Sequence, residues 1–450
     1  MPIFVWLVLV GGAISGSPCT DRSARGSASC NPVCNSERVG TFCQRRHAGA
    51  AVGGPSMQFA RNLRVFVALA AVLAATGTPA QTSFHPATPA KPAIENNQPD
   101  VNAPQPSELA KKADRFVLST GECSVVRRDV TIHDEERGKD IELRVRIPRP
   151  AAGKSAPAEG WPLVVFSHGA GGSRDAFPDL LEFWGSHGYA TIAITHKDSL
   201  LLKRRKGQGQ SLRDLVSEKG RRELRNSVDL GDRVADCSLV LDQLEEISAA
   251  VVKGGGEAFA IDRSKLAIAG HSAGAFTTQL VAGVKVRAAG VGKRGLGFTS
   301  VADDRFKAAI VISGQGTTSK ILGEEAWNEV KVPMFVIGGS QDESPAGMGP
   351  ETPESRKHPF EYSRGVAKGG PAAYLLYIEG ATHSSYSGKS VSALRRDEAS
   401  TDVLQIGEAV RSGTTLFLDT HVKHDDEAKR ALELGKLKDT IPGKVTYERK

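Results

Sequence analysis

One serine between two glycines has the setting of a catalytic nucleophile. The segment GHSAG at residues 270–274 follows a short apolar run at 266–269, and a helix-like pattern runs from Ala273 to about residue 284. A strand, a sharp turn and a helix with serine at the apex are typical of a nucleophile elbow. We therefore expect the Ser272 hydroxyl to stand clear of the sheet. In so sharp a turn a side chain at either flanking glycine would collide with the chain, so we predict structural roles for Gly270 and Gly274.

A serine at its ordinary pKa needs a base beside it, and the base needs an acid to orient it. Such groups collect at the carboxyl ends of parallel strands. Asp342 follows an apolar strand pattern at 332–337, and His383 follows another at 374–378. The chain order Ser272, Asp342, His383 is the order that this architecture uses. We predict that His383 is the general base and acid and that Asp342 fixes its tautomer.

Other side chains near these segments are alternatives for the same roles. Asp198, Asp303 and Asp304 are weaker candidates for the acid. We interpret His271, next to the nucleophile, as structural rather than as a second base. Three aromatic residues could line a substrate pocket, although apolar aromatics in such positions are more often core residues: Phe276, Trp184 and Tyr386.

A glycine-rich loop, FSHGAGG at residues 166–172, follows the buried strand pattern at 163–166. A loop in this position can present a backbone N–H to a developing oxyanion, and glycines let a substrate approach closely. We predict the N–H groups of Ala170 and Ala273 as the two donors, with Gly169 and Gly171 shaping the loop. The alternative is a simple glycine turn into the next helix. The pattern GxxxxGK[ST] of a phosphate-binding loop is not present in this segment.

Strand patterns alternate with helix patterns along the chain, which predicts an α/β fold with a mainly parallel sheet and helices on both faces. The two N-terminal strands alternate apolar and polar residues and are joined by a short charged turn, so we expect an antiparallel hairpin there. The eight strands are expected at 123–133, 141–147, 162–166, 189–194, 266–269, 307–313, 332–337 and 373–378. Helices are expected up to about 184, at 233–247 and from 402 onward. The charged segment 200–230 is expected to be an exposed excursion that could form a lid.

The first 107 residues have the patterns of a leader and a linker rather than of a folded domain. Residues 57–80 combine a basic start, an apolar run and small residues before Ala80, as a signal peptide does. We expect residues 1–56 to be an upstream over-extension of the start, with a metal or disulfide module of four cysteines as the alternative. Residues 81–107 read as a Pro-rich linker and 108–450 as a single catalytic domain. The mature protein is then secreted or periplasmic.

The charge of the chain is concentrated in this leader. The whole chain carries 58 Lys and Arg against 51 Asp and Glu, a net charge of +7. Removing the seven basic and two acidic residues of the first 80 leaves a net charge of +2, so no nucleic-acid partner is expected. No later apolar run is long enough to span a membrane. Of the cysteines beyond the leader, Cys123 and Cys237 could pair, but Cys237 lies on a helical apolar stripe and is expected in the core.

Several segments together resemble a known family. They are FSHGA at 166–170, SHGY at 186–189, HKD at 196–198 and DRSKLAIAGHS at 262–272. They are similar to the α/β-hydrolases of the platelet-activating-factor acetylhydrolase and dienelactone-hydrolase-like branch, over roughly Cys123–Lys423. The resemblance implies an eight-stranded sheet, no metal, no cofactor and carboxylester hydrolysis through an acyl-enzyme. It also implies that Ala170 is an oxyanion donor.

Two departures limit what this resemblance implies. Dienelactone hydrolases have cysteine where this chain has Ser272, so their substrate is not carried over. Secreted polyester hydrolases have aromatic clamp residues beside the oxyanion loop, where this chain has only Ala170.

We therefore expect a secreted serine carboxylesterase for small or medium acyl esters. Other hydrolases on this fold (a lipase, a phospholipase A2-like acetylhydrolase, a polyester hydrolase or a peptidase) and a non-catalytic binding protein are the alternatives. The oligomeric state is left open.

Overall fold

The protein is built on one large twisted sheet. The computed structural model describes residues 115–208, 217–289, 296–344, 349–388 and 400–450. The sheet contains β1 (Ser124–Asp134), β2 (Lys139–Arg149), β3 (Trp161–Ser167), β4 (Ala190–Thr195), β5 (Ile261–His271), β8 (Ala308–Ile312), β9 (Met334–Gln341), β10 (Ala373–Thr382) and β11 (Val445–Arg449). β6 (Val286–Ala289) and β7 (Leu296–Thr299) form a separate antiparallel pair.

The strand order is β1-β2-β4-β3-β5-β8-β9-β10-β11. The six strands from β4 to β10 in this order run parallel to one another. β1 and β2 form the predicted antiparallel hairpin at one edge, and β11 pairs antiparallel with β10 at the other. This arrangement confirms the α/β class. Every residue of β3, β4 and β8 is buried, as expected for central parallel strands covered on both faces.

Helices cover both faces of this sheet. They are α1 (Pro178–Ser186), α2 (Leu200–Arg205), α3 (Glu218–Asn226), α4 (Leu230–Asp242), α5 (Leu244–Lys253), α6 (Ala273–Val281), α7 (His358–Glu361), α8 (Ser400–Leu418) and α9 (Asp426–Glu433), with a π-helical turn at Asp419–Lys423. Alternate residues of β3 enter two separate cores. Leu163 and Val165 pack with α4, α5 and α6, whereas Val164 and Phe166 pack with α1 and α8.

Three local predictions needed correction. Among the described residues the sheet has nine strands rather than eight, because the C-terminal segment adds β11. Only Tyr447 of that strand is buried, so its sequence has little apolar pattern. The helix predicted at 233–247 is two helices, since Gln243 leaves helical geometry with φ −108° and ψ 30°. The excursion at 200–230 contains α2 and α3, and its residues 209–216 lie outside the described part of the chain.

The expectations for the first part of the chain also lie outside the described residues. They are the over-extension at 1–56, the signal peptide at 57–80 and the linker at 81–107. Within the described residues, no helix combines the length and the apolar character that crossing a membrane requires. Cys123 and Cys237 are both free thiols, and Cys237 is buried in the core on α4.

Candidate active site

Ser272 lies at a strained turn directly after β5. Its φ is 56° and its ψ is −118°, a combination that a residue with a side chain rarely adopts. Its backbone N–H donates a hydrogen bond to the Ile312 carbonyl at 3.1 Å, which ties the turn to β8. A Cβ added at Gly270 would overlap the backbone of Gly274, and one added at Gly274 would overlap the Ser167 carbonyl. Both positions therefore require glycine.

The structure brings the three predicted polar side chains into one chain of contacts. His383 Nε2 lies 3.0 Å from Ser272 Oγ, and His383 Nδ1 lies 2.9 Å from Asp342 Oδ1. Each residue is the first after a strand: Ser272 after β5, Asp342 after β9 and His383 after β10. All three are buried. The parallel sheet therefore places a hydroxyl, an imidazole and a carboxylate in hydrogen-bonding order at its carboxyl edge.

Three further side chains surround the Asp342 carboxylate. The Ser313 hydroxyl donates to Oδ1 at 2.9 Å, the Tyr386 hydroxyl donates to Oδ2 at 2.7 Å, and Arg356 Nε lies 3.3 Å from Oδ1. Burial opposes ionisation of Asp342, but the Arg356 charge, together with hydrogen bonds from His383 and Tyr386, outweighs it and holds the Asp342 pKa well below its usual range. The carboxylate is therefore ionised beside His383.

The sequence reasoning missed Ser313 and Arg356. Ser313 also has a positive φ, 55°, and its hydroxyl lies 2.8 Å from His383 Nδ1. The position of Ser313 in the sequence could have marked it. It is the first residue after β8, just as Ser272, Asp342 and His383 are the first residues after their strands. Arg356 lies in a short 3₁₀ helix, Glu354–Lys357, between β9 and β10, and no motif marks it.

The glycine-rich loop lies against the nucleophile. The position of a Cβ at Gly169 would be 3.4 Å from the Ser272 Cβ, so a glycine keeps this approach open. Ala170 and Ala273 are both fully buried. Among the described residues, neither the Ala170 N–H nor the Ala273 N–H has a hydrogen-bond acceptor. Two unpaired donors therefore flank Ser272, one from the loop and one from the first turn of α6.

A buried ion pair between Arg233 and Asp198 holds the loop residues that precede and follow Ala170. Arg233 donates to the His168 carbonyl at 2.6 Å and makes two contacts with the Asp198 carboxylate, at 2.9 and 2.8 Å. Asp198 in turn accepts the Gly171 N–H at 3.0 Å. Burial raises the Asp198 pKa, but the Arg233 charge and hydrogen bonds outweigh this and hold it well below its usual range.

Two histidines complete this network beneath the loop. His196 Nδ1 lies 2.8 Å from Asp236 Oδ2, and its Nε2 lies 2.9 Å from the Ser167 hydroxyl. The backbone N–H of His196 donates a hydrogen bond to His168 Nε2 at 3.0 Å, so this ring nitrogen of His168 is an acceptor. Burial first, and then the Arg233 charge, lowers the pKa of both imidazoles well below the ordinary value. Both rings are therefore neutral structural groups.

The alternatives for the acid lie in other ion pairs. Asp198 pairs with Arg233, and Asp303 pairs with Arg305 and accepts from Ser238. Asp304 is exposed and lies 3.9 Å from Lys331.

The three aromatic candidates are packed inside the protein, whereas His271, at the end of β5, is half-buried. His271 Nε2 lies 2.8 Å from the His383 carbonyl, and burial together with the charge on His383 lowers the His271 pKa to about 3. Phe276, Trp184 and Tyr386 are fully buried, so they are core residues rather than an open pocket wall. In the described part of the chain, no group of three or more His, Cys, Asp and Glu side chains is arranged to hold a metal ion.

Comparison with known proteins finds a family that matches part of the chain. The family model of platelet-activating factor acetylhydrolase, isoform II, matches residues 143–344. The fold and the site define an α/β-hydrolase, a hydrolase class built on a mainly parallel sheet with a serine at a strained elbow. The matched residues are somewhat under half of the chain, and over them the sequence is similar to the platelet-activating factor acetylhydrolases.

The solved structures that match the chain share little sequence with it. A protein assigned as a dienelactone hydrolase, from Klebsiella pneumoniae subsp. pneumoniae MGH 78578, is 17% identical, with a TM-score of 0.39 over 64% of this chain and 99% of its own. A ferulic acid esterase from Streptomyces cinnamoneus is 15% identical, with a TM-score of 0.42 over 69% and 93%. A puromycin-hydrolyzing peptidase from Mycobacterium tuberculosis is 17% identical, with a TM-score of 0.38 over 66% and 39%.

Proposed function

We propose that the protein is a serine carboxylesterase in which Ser272 is the nucleophile, His383 the general base and acid, and Asp342 the residue that orients His383. The observation that carries this proposal is the continuous contact chain from Asp342 through His383 to Ser272, at 2.9 and 3.0 Å. The strained elbow supports the same role for Ser272. The two unpaired N–H groups of Ala170 and Ala273 support an oxyanion site beside it.

The reaction then follows from the positions of these groups. His383 Nε2 takes the Ser272 proton as Oγ attacks the ester carbonyl, and the carbonyl oxygen becomes an oxyanion that accepts from the two alanine N–H groups. His383 gives its proton to the departing alkoxide, which leaves an acyl group on Ser272. A water molecule, deprotonated by His383, attacks that acyl group, and Ser272 regains its proton as the acid is released. Asp342 stays ionised throughout and stabilises the imidazolium.

We infer a small or medium acyl ester as the substrate. The matched family is named for an acetylhydrolase, which favours short acyl groups, and an acetyl ester of a phospholipid is the narrower candidate. The small side chain of Ala170 on the loop supplies no aromatic surface for a polymer chain. No aromatic candidate from the sequence is exposed to add one, since Phe276, Trp184 and Tyr386 are all buried.

Hydrolysis of a p-nitrophenyl ester series from acetate to palmitate tests the proposal. We expect the highest kcat/KM for the shorter acyl chains. We expect Ser272→Ala to lower kcat by a factor of about 10⁴–10⁶, because the remaining groups only bind and polarise the substrate. A wild-type protein that hydrolyses none of the esters, or a Ser272→Ala variant with undiminished activity, would overturn the proposal.

A non-catalytic binding protein on the same fold is the other class of function, and chemical labelling separates the two. A fluorophosphonate reacts with a serine only when a neighbouring base activates it. We expect stoichiometric labelling of Ser272, and no labelling in the His383→Ala variant. Absence of labelling in a folded wild-type protein would favour the binding protein.

We further propose that the protein is secreted or periplasmic, with cleavage near Ala80. This rests on the pattern of residues 57–80. N-terminal sequencing of the exported protein is expected to give a first residue near Gln81. A cytoplasmic protein with an intact start at Met57 or earlier would contradict it.

A further inference from the structure

Arg356 is enclosed within the catalytic groups. Its side chain is 1% exposed. Nε donates to the Asp342 carbonyl at 3.2 Å and lies 3.3 Å from that residue's Oδ1. Nη1 donates to the Gly314 carbonyl at 2.8 Å. The guanidinium therefore contacts both the main chain and the carboxylate of the residue that orients the base.

The same guanidinium also approaches the base. Nη2 lies 3.4 Å from His383 Nδ1, the nitrogen that faces Asp342. A cation at this distance disfavours a second positive charge on the imidazole. The carboxylate favours that charge, so Asp342 and Arg356 act on His383 in opposite directions.

We propose that Arg356 is a positioning residue that offsets the charge of Asp342 and thereby sets the lower pH limit of the reaction. The inference rests on the proposed function of His383 as the base. Without Arg356, the full charge of the carboxylate stabilises the imidazolium, and the base becomes protonated and inactive at a higher pH. With Arg356 in place, the base stays neutral and competent in more acidic solution.

Two other titratable groups around His383, His271 and Tyr386, are neutral hydrogen-bonding partners. His271, at the end of β5, faces the His383 carbonyl, and burial with the charge on His383 lowers the His271 pKa to about 3. Tyr386, from the 3₁₀ turn after His383, donates to Asp342, and burial raises its pKa well above the ordinary value. The nearby carboxylate of Glu351 accepts instead from the Gly316 N–H and the Ser355 hydroxyl. The described charges that act on the base are therefore those of Asp342 and Arg356.

The acidic limb of the pH profile of kcat/KM measures this effect. Arg356→Gln removes the charge, and we expect the midpoint of the limb to rise by about one pH unit. Arg356→Lys keeps the charge, so its midpoint is expected within a few tenths of a unit of the wild type, although kcat falls because the lysine cannot make all the guanidinium contacts. An unchanged midpoint in a folded, active Arg356→Gln variant overturns the inference.

A second variant tests the charge without removing the arginine. Ser344 is half-buried, and its hydroxyl lies 3.5 Å from Arg356 Nη2. Ser344→Asp places a carboxylate against the guanidinium, and we expect the midpoint to rise by about half a unit. Ser344→Asn has the same size without the charge, and it is expected to keep the wild-type midpoint. Equal midpoints in these two variants overturn the inference even where Arg356→Gln does not fold.

These outcomes are separable from those of the proposed function. A wild-type protein without esterase activity contradicts the function itself. An active wild type whose acidic limb is indifferent to Arg356 and to Ser344→Asp contradicts only the role of the arginine.

Discussion

Two buried arginines hold the two halves of the site in different ways. The half that contains the loop with Ala170 is called the oxyanion side, and the half that contains Asp342 and His383 is called the acid side. Arg233 and Arg356 are each 1% exposed, and each donates to backbone carbonyls of a loop at the carboxyl edge of the sheet. The charge partner of Arg233 is Asp198, which takes no part in the contact chain to Ser272 and binds the Gly171 N–H instead. The charge partner of Arg356 is Asp342 itself.

Because of this difference, Arg233 affects the shape of the site, whereas Arg356 also affects the charge next to His383. On the oxyanion side, Arg233 and Asp198 neutralise each other away from the proposed base, so their contribution is the shape of the loop that carries Ala170. On the acid side, any change in Arg356 changes the field at His383. Variants on the oxyanion side are therefore expected to change rates and stability at constant pH dependence, and variants on the acid side to change the pH dependence itself.

The largest expected effect is that of Arg233→Met. The substitution leaves the Asp198 carboxylate buried without its partner, and we expect the free energy of unfolding to fall by about 3–5 kcal/mol. Because the His168 carbonyl also loses its donor, Ala170 is no longer held, and kcat/KM is expected to fall about 100-fold. Urea unfolding and ester hydrolysis measure the two effects. A shift in the acidic limb of the pH profile of kcat/KM in Arg233→Met would mean that Arg233, like Arg356, acts on the charge of His383.

A double variant provides the control. Arg233→Met with Asp198→Asn removes both charges, so no unpaired ion remains, and most of the lost stability is expected to return. The activity is expected to stay low, since the loop carbonyls still lack their donor. Return of both stability and activity would mean that the ion pair holds the fold but not the loop.

The contrast between the two halves also marks what the sequence could predict. Buried strand patterns located the central strands and the loops that follow them, because a parallel strand covered on both faces must be apolar along its length. This placed Ser272, Asp342 and His383 on one edge of the sheet before any distance was known. The edge strand β11 was missed, since only Tyr447 of its residues is buried.

Side-chain partners that are distant in sequence could not be found in this way. Arg233 lies 35 residues from Asp198, and Arg356 lies 14 residues from Asp342. Neither pair has a characteristic spacing, and an arginine in a charged segment usually faces solvent. Only the packing of α4 and of the 3₁₀ helix Glu354–Lys357 onto the sheet buries these two cations and selects their acids. The roles of Ser272, Asp342 and His383 remain predictions for the experiments above.

The second expected effect is a loss of stability in acid, to which His168 and His196 beneath the glycine-rich loop contribute. His168 and His196 have pKa values lowered by burial, so below an unfolded-state pKa of 6.5 the unfolded chain binds protons that the folded chain does not. Stability is present in full above pH 6.5 and is lost as the pH falls, by about 1.4 kcal/mol per pH unit for each histidine. Urea unfolding at pH 5.5 and 4.5, where the unfolded histidines are almost fully protonated, measures the slope.

A variant with one of these histidines removed sharpens that measurement. His196→Gln is expected to reduce the slope by about 1.4 kcal/mol per pH unit, because one proton fewer is taken up on unfolding. The exposed His133 serves as the control, and His133→Gln is expected to leave most of the slope in place. A slope that is the same in wild type and His196→Gln would mean that His196 is not the group that titrates.

The third expected effect is that of Tyr386→Phe on the acid side. The Asp342 Oδ2 loses the hydroxyl that donates to it at 2.7 Å, and we expect a loss of about 1.5–2 kcal/mol in the free energy of unfolding. A neutral donor polarises the carboxylate less than a guanidinium does. The acidic limb is therefore expected to rise by less than half a pH unit, below the shift in Arg356→Gln. A shift larger than that of Arg356→Gln would mean that hydrogen bonding, not charge, governs the base.

The smallest expected effect belongs to His271, which touches both halves of the site. Its Nε2 faces the His383 carbonyl at 2.8 Å, and its Nδ1 would lie 3.3 Å from a Cβ at Gly169. His271→Phe keeps the ring and removes the hydrogen bond, so we expect a loss of about 1 kcal/mol in stability. The rate is expected to fall three- to tenfold, because the loop that carries His383 is held less firmly. Since His271 is neutral over the working range, the midpoint of the acidic limb is expected to stay at its wild-type value, whereas a shift would place His271 with Arg356 among the groups that set the charge of the base.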